Sequence, residues 1–324
     1  MEKYELLEKE VGAWAGFPSE NVVACSSGTA ALHLAFEALQ LPPGSTVLVP
    51  DFTMIACPRA VTLAGLKPVF VDCGSDLNMD MELACQSCYE NKPKGLLIVH
   101  IYGRQCNMYS CETIRQRFKI PVVEDLAEAH GVKPHPDTDA ACWSFFKNKI
   151  VHGEEGGAVA FRDAGRAALA RQLRCLGFTP AHDFVHLPRG HNYKFANALA
   201  SMIVDSLRDY PREVARRRRA ENLYNAACQR EWMMPPRDAP WVYDVRVPGL
   251  TLAGLDRVVG ALNGAGIAAR HAFKPMSVQW DHLPRGEVGR EALRASWEIF
   301  YLPLDIVEEG QAVKAFDIVK AALG

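Results

Sequence analysis

The chain has 324 residues, 49% of them hydrophobic and 23% charged, with 36 basic against 38 acidic side chains and a formal net charge of −2. That is ordinary globular composition with length enough for one large domain and a smaller one. It excludes a stapled mini-protein, and the balanced charge offers no chain-wide basic surface for nucleic acid. Met1-Glu2-Lys3-Tyr4-Glu5 is charged from its second residue and leads into no apolar stretch, and no apolar run reaches membrane-spanning length, so neither a secretory leader nor a membrane helix is expected.

Between residues 20 and 165 short apolar runs alternate with helical stretches, the pattern of a mainly parallel sheet with crossover helices. Strands are predicted at 22–25, 46–49, 68–71, 96–99, 121–124, 141–145 and 157–161, and their continuous apolar character predicts burial on both faces. Apolar residues at helical spacing predict helices at 30–39, 56–64 and 111–118. Past residue 190 come long charged helices, 197–210 and 211–228, with Pro211 expected to kink or divide them. The run Arg216-Arg217-Arg218-Arg219 reads as a solvated helix face. A Pro-rich stretch at 234–240 reads as a linker, followed by a strand over 241–247, then helix, loop and a final helix ending at Gly324. The expected division is therefore a large domain over 1–232 and a small C-terminal domain over 233–324.

Ten cysteines are scattered through a chain too large to need disulfides, several inside apolar runs, and are read as reduced thiols of a cytoplasmic protein. Cys85 and Cys88 form a CxxC, but no second pair follows at metal-site spacing. They read as two small residues on a helix, and no metal site is expected.

Four features fall at the ends of predicted strands, where a doubly wound sheet puts its ligands. Ser26-Ser27-Gly28-Thr29 follows a strand and opens a helix, which suits a phosphate, although the same residues make a good turn and N-cap. Glu124-Asp125 ends the apolar run 121–123; a buried acid there needs a cationic partner, such as a protonated ring nitrogen, unless it caps a helix. A strand then runs through Ser144 into a polar loop with Lys147 and Lys149 before Gly156-Gly157 restarts a strand. Desolvation in such a loop lowers a lysine's pKa and makes it a Schiff-base nucleophile, whereas a solvated lysine is inert. The fourth feature, Gly190 to Phe195, is a polar turn ahead of a long helix.

Together, an anion cradle, an acid for a pyridine nitrogen and an amine for an aldehyde are what pyridoxal 5′-phosphate requires. The chain resembles the DegT/DnrJ/EryC1/StrS family of fold-type I PLP enzymes, best known as nucleotide-sugar aminotransferases. The likeness is carried by Ser27-Gly28-Thr29-Ala30-Ala31-Leu32-His33-Leu34, Val49-Pro50-Asp51-Phe52-Thr53-Met54, Gly65 to Asp72, Val99-His100-Ile101-Tyr102-Gly103, Glu124-Asp125 through Gly131, Ser144 through Gly157, Asn192-Tyr193, Phe273-Lys274-Pro275-Met276 and Leu302-Pro303-Leu304.

The resemblance implies an α/β fold of fold-type I with a smaller C-terminal α/β domain. It implies that Lys149, rather than Lys147, joins the cofactor's aldehyde, that Asp125 pairs with the pyridine nitrogen, and that Glu128 approaches the ring hydroxyl. Gly28, Thr29 and Ser144 would hold the phosphate. Asn192 would reach the phosphate of the neighbouring subunit, making the active unit a homodimer, and Met54 would stand where an aromatic residue commonly stacks on the ring. The implied reaction moves an amino group from an amino acid, glutamate by family habit, to a keto sugar carried on a nucleotide. A ketone outside sugar metabolism, a sugar 3-dehydratase (whose family members carry histidine at the position of Lys149) and a non-catalytic regulatory or interaction protein are the alternatives. Only twelve residues separate Gly131 from Ser144, so the hairpin usual there in the family is expected to be cut short, and the N-terminus is shorter than in many relatives. His152, Glu154 and Glu155 are read as solvated.

Overall fold

The computed structural model describes residues 3–179, 181, 184–279, 289–306 and 308–324. Met1 and Glu2, the first residues of the charged N-terminal run, lie outside the described residues. Seven strands form one sheet: β1 (Val22–Cys25), β2 (Thr46–Pro50), β3 (Lys67–Val71), β4 (Gly95–Val99), β5 (Val122–Asp125), β6 (Ala140–Ser144) and β7 (Gly157–Phe161), in the order β1-β7-β6-β5-β4-β2-β3. The pairs β3–β2, β2–β4, β4–β5 and β5–β6 are parallel, whereas β7 runs antiparallel to both β6 and β1. Six helices accompany them: α1 (Lys3–Ala15), α2 (Gly28–Leu39), α3 (Ala56–Leu63), α4 (Met81–Asn91), α5 (Met108–Phe118) and α6 (Ala164–Arg174).

The two faces of the sheet follow from the alternation of side chains along each strand. Val47, Val49, Leu97, Val99 and Val123 pack into one core with Leu34, Phe36 and Val61 of α2 and α3. Their neighbours Leu48, Leu96, Ile98 and Val122 pack into a second with Ala84 and Cys88 of α4 and Cys111 and Ile114 of α5. Every predicted strand is present, but burial on both faces fails at the edge strand β3, where Lys67 is exposed and Val69 and Phe70 are half-buried. An edge strand also accommodates Pro68, which has no N–H to give a further neighbour. All ten cysteines are free thiols, with Cys85 and Cys88 on α4. Among the described residues no helix is long and apolar enough to cross a membrane.

Helix α7 (Asn197–Ala227) runs for 31 residues without a break, so Pro211 does not divide it. A mid-helix proline costs about 3 kcal/mol in isolation. Here the packing on either side outweighs that, with Ala200, Ile203, Val204 and Leu207 in the main core and Ala220 and Tyr224 in another. Within the arginine run Arg219 is exposed, as a solvated face requires, but Arg217 is drawn in. Arg216 and Arg217 both bond Glu213, Arg217 also donates to the Trp241 carbonyl at 2.8 Å, and Arg218 donates to Glu221 at 2.7 Å.

The C-terminal part holds β8 (Val242–Arg246), β9 (Arg270–His271) and β10 (Ile299–Pro303) in an antiparallel sheet ordered β8-β10-β9. With them are α8 (Leu252–Gly264), α9 (Met276–Gln279), α10 (Arg290–Glu298) and α11 (Glu309–Leu323). Its core gathers Tyr243, Val245, Leu255, Val258, Phe300 and Phe316 around Tyr224 of α7. The Pro-rich stretch before β8 is pinned rather than loose. Ala239 N–H donates to the Gly103 carbonyl at 2.9 Å, and Gly103 (φ +83°) lies so close that a Cβ there would stand 1.9 Å from the Ala239 oxygen. Beside it Arg104 makes a bidentate pair with the buried Asp244 at 2.8 and 2.9 Å, and Arg237 joins the same carboxylate to Glu221 of α7.

Candidate active site

The site forms where strands β1, β5 and β6 end, and the reversed β7 explains its compactness. Because β7 is antiparallel to both its neighbours, Gly157 at its start pairs with Cys25 at the end of β1 and with Ser144 at the end of β6. The turn after β1 is thereby pressed against the end of β6. A Cβ on Gly157 would lie 2.3 Å from the Ser27 carbonyl oxygen, and one on Gly28 would lie 2.7 Å from Ser144 Cβ. Only glycines fit these approaches. Ser27 caps α2, its Oγ accepting from Ala30 N at 3.1 Å. The amides of Gly28 and Thr29 open the helix, where N–H groups and the helix dipole favour an anion.

Asp125 is the last residue of β5 and is buried, with only 6% of its surface exposed. One carboxylate oxygen accepts from Ala127 N at 2.9 Å; the other accepts from Cys57 Sγ at 3.3 Å, and that thiol in turn accepts from Thr53 Oγ1 at 3.2 Å. Burial pushes the Asp125 carboxyl above its ordinary pKa, while these donors and the charges of Lys149 and His100 pull it back. Its neighbour Glu124 points to the other face of the sheet, as strand alternation requires. There it accepts from His100 Nε2 at 3.0 Å, from His135 N at 2.9 Å and from Thr138 Oγ1, which ties down the short connection to β6. No strand lies between 126 and 139, consistent with the hairpin expected to be cut short.

Glu128, three residues beyond Asp125, is equally buried and accepts from Tyr102 N at 2.9 Å. Desolvation raises its pKa to about 7 against the opposing pull of Lys149. Lys149 lies in the β6–β7 loop. That loop is folded back on itself by Phe145 N to Gly156 O and Gly153 N to Phe145 O, and is buttressed by Val151 N donating to the buried His130 Nδ1 at 3.0 Å. Lys147 is exposed, whereas Lys149 is half-buried with its Nζ 4.0 Å from the centroid of the Trp241 ring. Burial lowers the Lys149 pKa, and the carboxylates of Glu128 and Asp125 oppose that shift.

The structure thus brings Asp125, Glu128 and Lys149 within electrostatic reach of one another and sets Gly28 against Ser144. Met54 stands just past β2 and is 51% exposed. Asn192 is exposed on a segment whose neighbour Tyr193 accepts, through its carbonyl, from Ser26 N at 3.0 Å. His152, Glu154 and Glu155 are exposed, as expected.

Two groups escaped the sequence reading. Cys57, under Asp125, sits in a helix with no pattern to single it out. The other is an aromatic wall in which Tyr102 packs against Phe52, Phe273, Trp241 and Tyr301 at centroid distances of 5.2–6.1 Å. Trp241 also donates from its indole to the Asn148 carbonyl at 2.8 Å, directly beside Lys149. A tryptophan ending a Pro-rich stretch was the available signal.

These residues fit pyridoxal 5′-phosphate: a helix N-terminus that only glycine can line, a buried carboxylate kept by a thiol and an amide, and an amine of lowered pKa. The chain matches the DegT/DnrJ/EryC1/StrS aminotransferase family over residues 2–304. It is 32% identical over 273 residues to GDP-perosamine synthase of Caulobacter vibrioides, covering 80% of this chain and 73% of that protein. It is 35% identical over 176 residues to UDP-N-acetyl-3-dehydro-alpha-D-glucosamine 3-aminotransferase of Acidithiobacillus ferrooxidans, covering 52% and 46% respectively. The crystal structure of the aminotransferase TlmJ from Streptoalloteichus hindustanus superposes with a TM-score of 0.89 over 99% of this chain and 90% of that one, at 24% identity. The fold, the family match and the sequence relatives agree: this chain belongs to the DegT/DnrJ/EryC1/StrS aminotransferase family and is a PLP-dependent transaminase.

Proposed function

We propose that the enzyme transfers an amino group from an amino acid, glutamate in the simplest case, to a ketone on a nucleotide-linked sugar. The observation that carries the reading is the grouping of Lys149, Asp125 and Glu128 under the aromatic wall. Kinship with a GDP-perosamine synthase and a UDP-sugar 3-aminotransferase supports the substrate class.

In this reading the cofactor supplies an aldehyde that captures the donor amine and a pyridinium ring that accepts the electrons released at the donor Cα. Gly28 and Thr29 hold its phosphate with their amides and Ser144 with its hydroxyl. Asp125, fixed from both sides by Ala127 N and Cys57 Sγ, keeps the ring nitrogen protonated, and its charge meets the positive ring in a site shielded from water. Lys149, whose lowered pKa makes the neutral amine accessible, takes the proton from the donor Cα and later returns one to the carbon being aminated. Glu128 would approach the ring hydroxyl, and Trp241 shields the Lys149 amine from solvent. Exposed Asn192 would reach the phosphate in the partner subunit of a homodimer. Met54 would offer the ring a thioether in place of an aromatic plane.

The test is a visible absorption spectrum of the PLP-loaded protein before and after glutamate, beside Lys149→Ala. A band near that of a lysine-linked cofactor, discharged by glutamate and restored by a keto-sugar nucleotide, is the expected result. A band that no amino acid discharges would overturn the aminotransferase roles given to these residues; discharge that only a non-nucleotide ketone reverses would overturn the substrate class.

A further inference from the structure

Away from the cofactor site, α2 carries His33 and Glu37 four residues apart on one face. His191, from the turn before α7, closes on them from the other side, its ring centroid 4.5 Å from that of His33. His33 Nε2 lies 3.5 Å from Glu37 Oε1, with side-chain exposures of 2% and 5%. The ligating atoms of all three residues lie within 4.8 Å of one another. Glu37 and the Leu63 backbone engage the buried His33 ring, whereas the buried Nε2 of His191 has no hydrogen-bond partner among the described residues. A buried, unpartnered imidazole nitrogen facing a second imidazole and a carboxylate is a position a ligand can satisfy.

We propose that His33, Glu37 and His191 form a binding site for a divalent transition-metal ion of the zinc class. Two imidazoles and one carboxylate are a donor set such ions take, with a fourth position left to water. Tetrahedral ligands about 2 Å from a metal stand about 3.3 Å apart. The His33–Glu37 pair already has that spacing, and the His191 nitrogen lies within 4.8 Å of both, within reach of a ring rotation. The outer partner is also present: Tyr193 OH stands 3.1 Å from His33 Nδ1, placed to take that N–H and turn the Nε2 lone pair toward the ion. The opposing element is Arg189, whose guanidinium lies 3.5 Å from Glu37 Oε1 but is 60% exposed and free to swing outward. An ion here would brace α2, whose first turn is the anion cradle, against the turn that carries Asn192.

The experiment uses untagged, PLP-loaded, full-length protein stripped with chelator and titrated with Zn²⁺ by calorimetry and with Co²⁺ by visible absorption. The expected result is one equivalent of Zn²⁺ and a Co²⁺ d–d spectrum of nitrogen and oxygen ligation. His191→Gln and Glu37→Gln should each weaken binding at least tenfold, Tyr193→Phe about tenfold, and Arg189→Ala should tighten it. Arg189→Ala and His191→Gln change exposed or half-exposed positions, so the proposal remains testable if Glu37→Gln fails to fold. No stoichiometric binding, thiolate-to-Co²⁺ charge-transfer bands, binding equal in all variants, or binding abolished instead by His135→Asn in the other acid–histidine group (Glu112, His135, Asp137) would each overturn it.

Discussion

The backbone N–H of Tyr102, at the end of the segment following β4, is spent on the carboxylate of Glu128 from the segment following β5, at 2.9 Å. Tyr102 adopts φ +51° to present it, a conformation that a bulky residue takes only when its surroundings demand it. A single amide does not offset the burial of a full charge, and Glu128 accordingly has a pKa of about 7.

That shift has a sign. The folded-state pKa lies above the carboxyl's ordinary 4.5, so the folded chain holds this proton to a higher pH than the unfolded chain does. Stability of the cofactor-free protein should therefore fall as pH rises from about 4.5 to 7, and no further from this group above that. Glu128→Gln removes the loss, raising the unfolding free energy from urea denaturation at pH 8 relative to wild type by up to roughly 3 kcal/mol and leaving it nearly unchanged at pH 4.5. Equal effects at both pH values would contradict the assignment.

Asp125→Asn keeps the shape of the site but removes the charge that faces the ring nitrogen. The glutamate half-reaction should slow about 10²–10³-fold in single-turnover absorbance, with the far-ultraviolet circular dichroism unchanged. Cys57→Ala, which removes only the thiol donor at Asp125 Oδ2, should slow it far less, since Ala127 N still holds the other oxygen. An unaltered rate in Asp125→Asn would take Asp125 out of this role.

Gly28→Ala drives a methyl group to 2.7 Å from Ser144 Cβ, and neither atom lies at the end of a flexible chain. The end of β6 must shift, at about 1–3 kcal/mol of stability. The PLP dissociation constant should rise at least tenfold in fluorescence titration. Gly260→Ala on α8, where nothing lies within 4 Å, is the control and should leave affinity as it is.

Asp244 is buried between Arg104 and Arg237, and its carboxyl is held below its ordinary pKa by those two guanidinium groups despite burial. Asp244→Ala strands the Arg104 guanidinium and leaves Arg237 only Glu221, and should cost about 3–5 kcal/mol in chemical denaturation. Arg104→Met leaves the Arg237 contact in place and should cost less.

Much of this architecture was legible because the signals were local. Each of the seven strands of the main sheet is a short apolar run bounded by polar residues, and Ser26 to Thr29, Asp125 and Lys149 sit in ordered motifs. What the sequence hid depends on contacts distant along the chain. The exposure of Lys67 on β3 depends on which strand lies at the edge. The persistence of α7 through Pro211 depends on cores formed with residues far from it. Arg217 is drawn in by the Trp241 carbonyl, and Cys57 acquires meaning only because β5 ends beside it. Trp241 over Lys149 is a tertiary meeting of residues 92 positions apart, which no periodicity encodes.

Helix α7 contributes side chains to the core of the main sheet at one end and to the core of the small sheet at the other. A rigid rod fixed at both ends transmits melting as well as load. Loss of the small core would fray the half of the helix that carries Glu213 and Glu221, and with it the buried pairs around Asp244. The two cores should therefore melt together, as one calorimetric peak whose van't Hoff and calorimetric enthalpies agree, and a mutation in the C-terminal sheet should lower the temperature at which the distant PLP site comes apart.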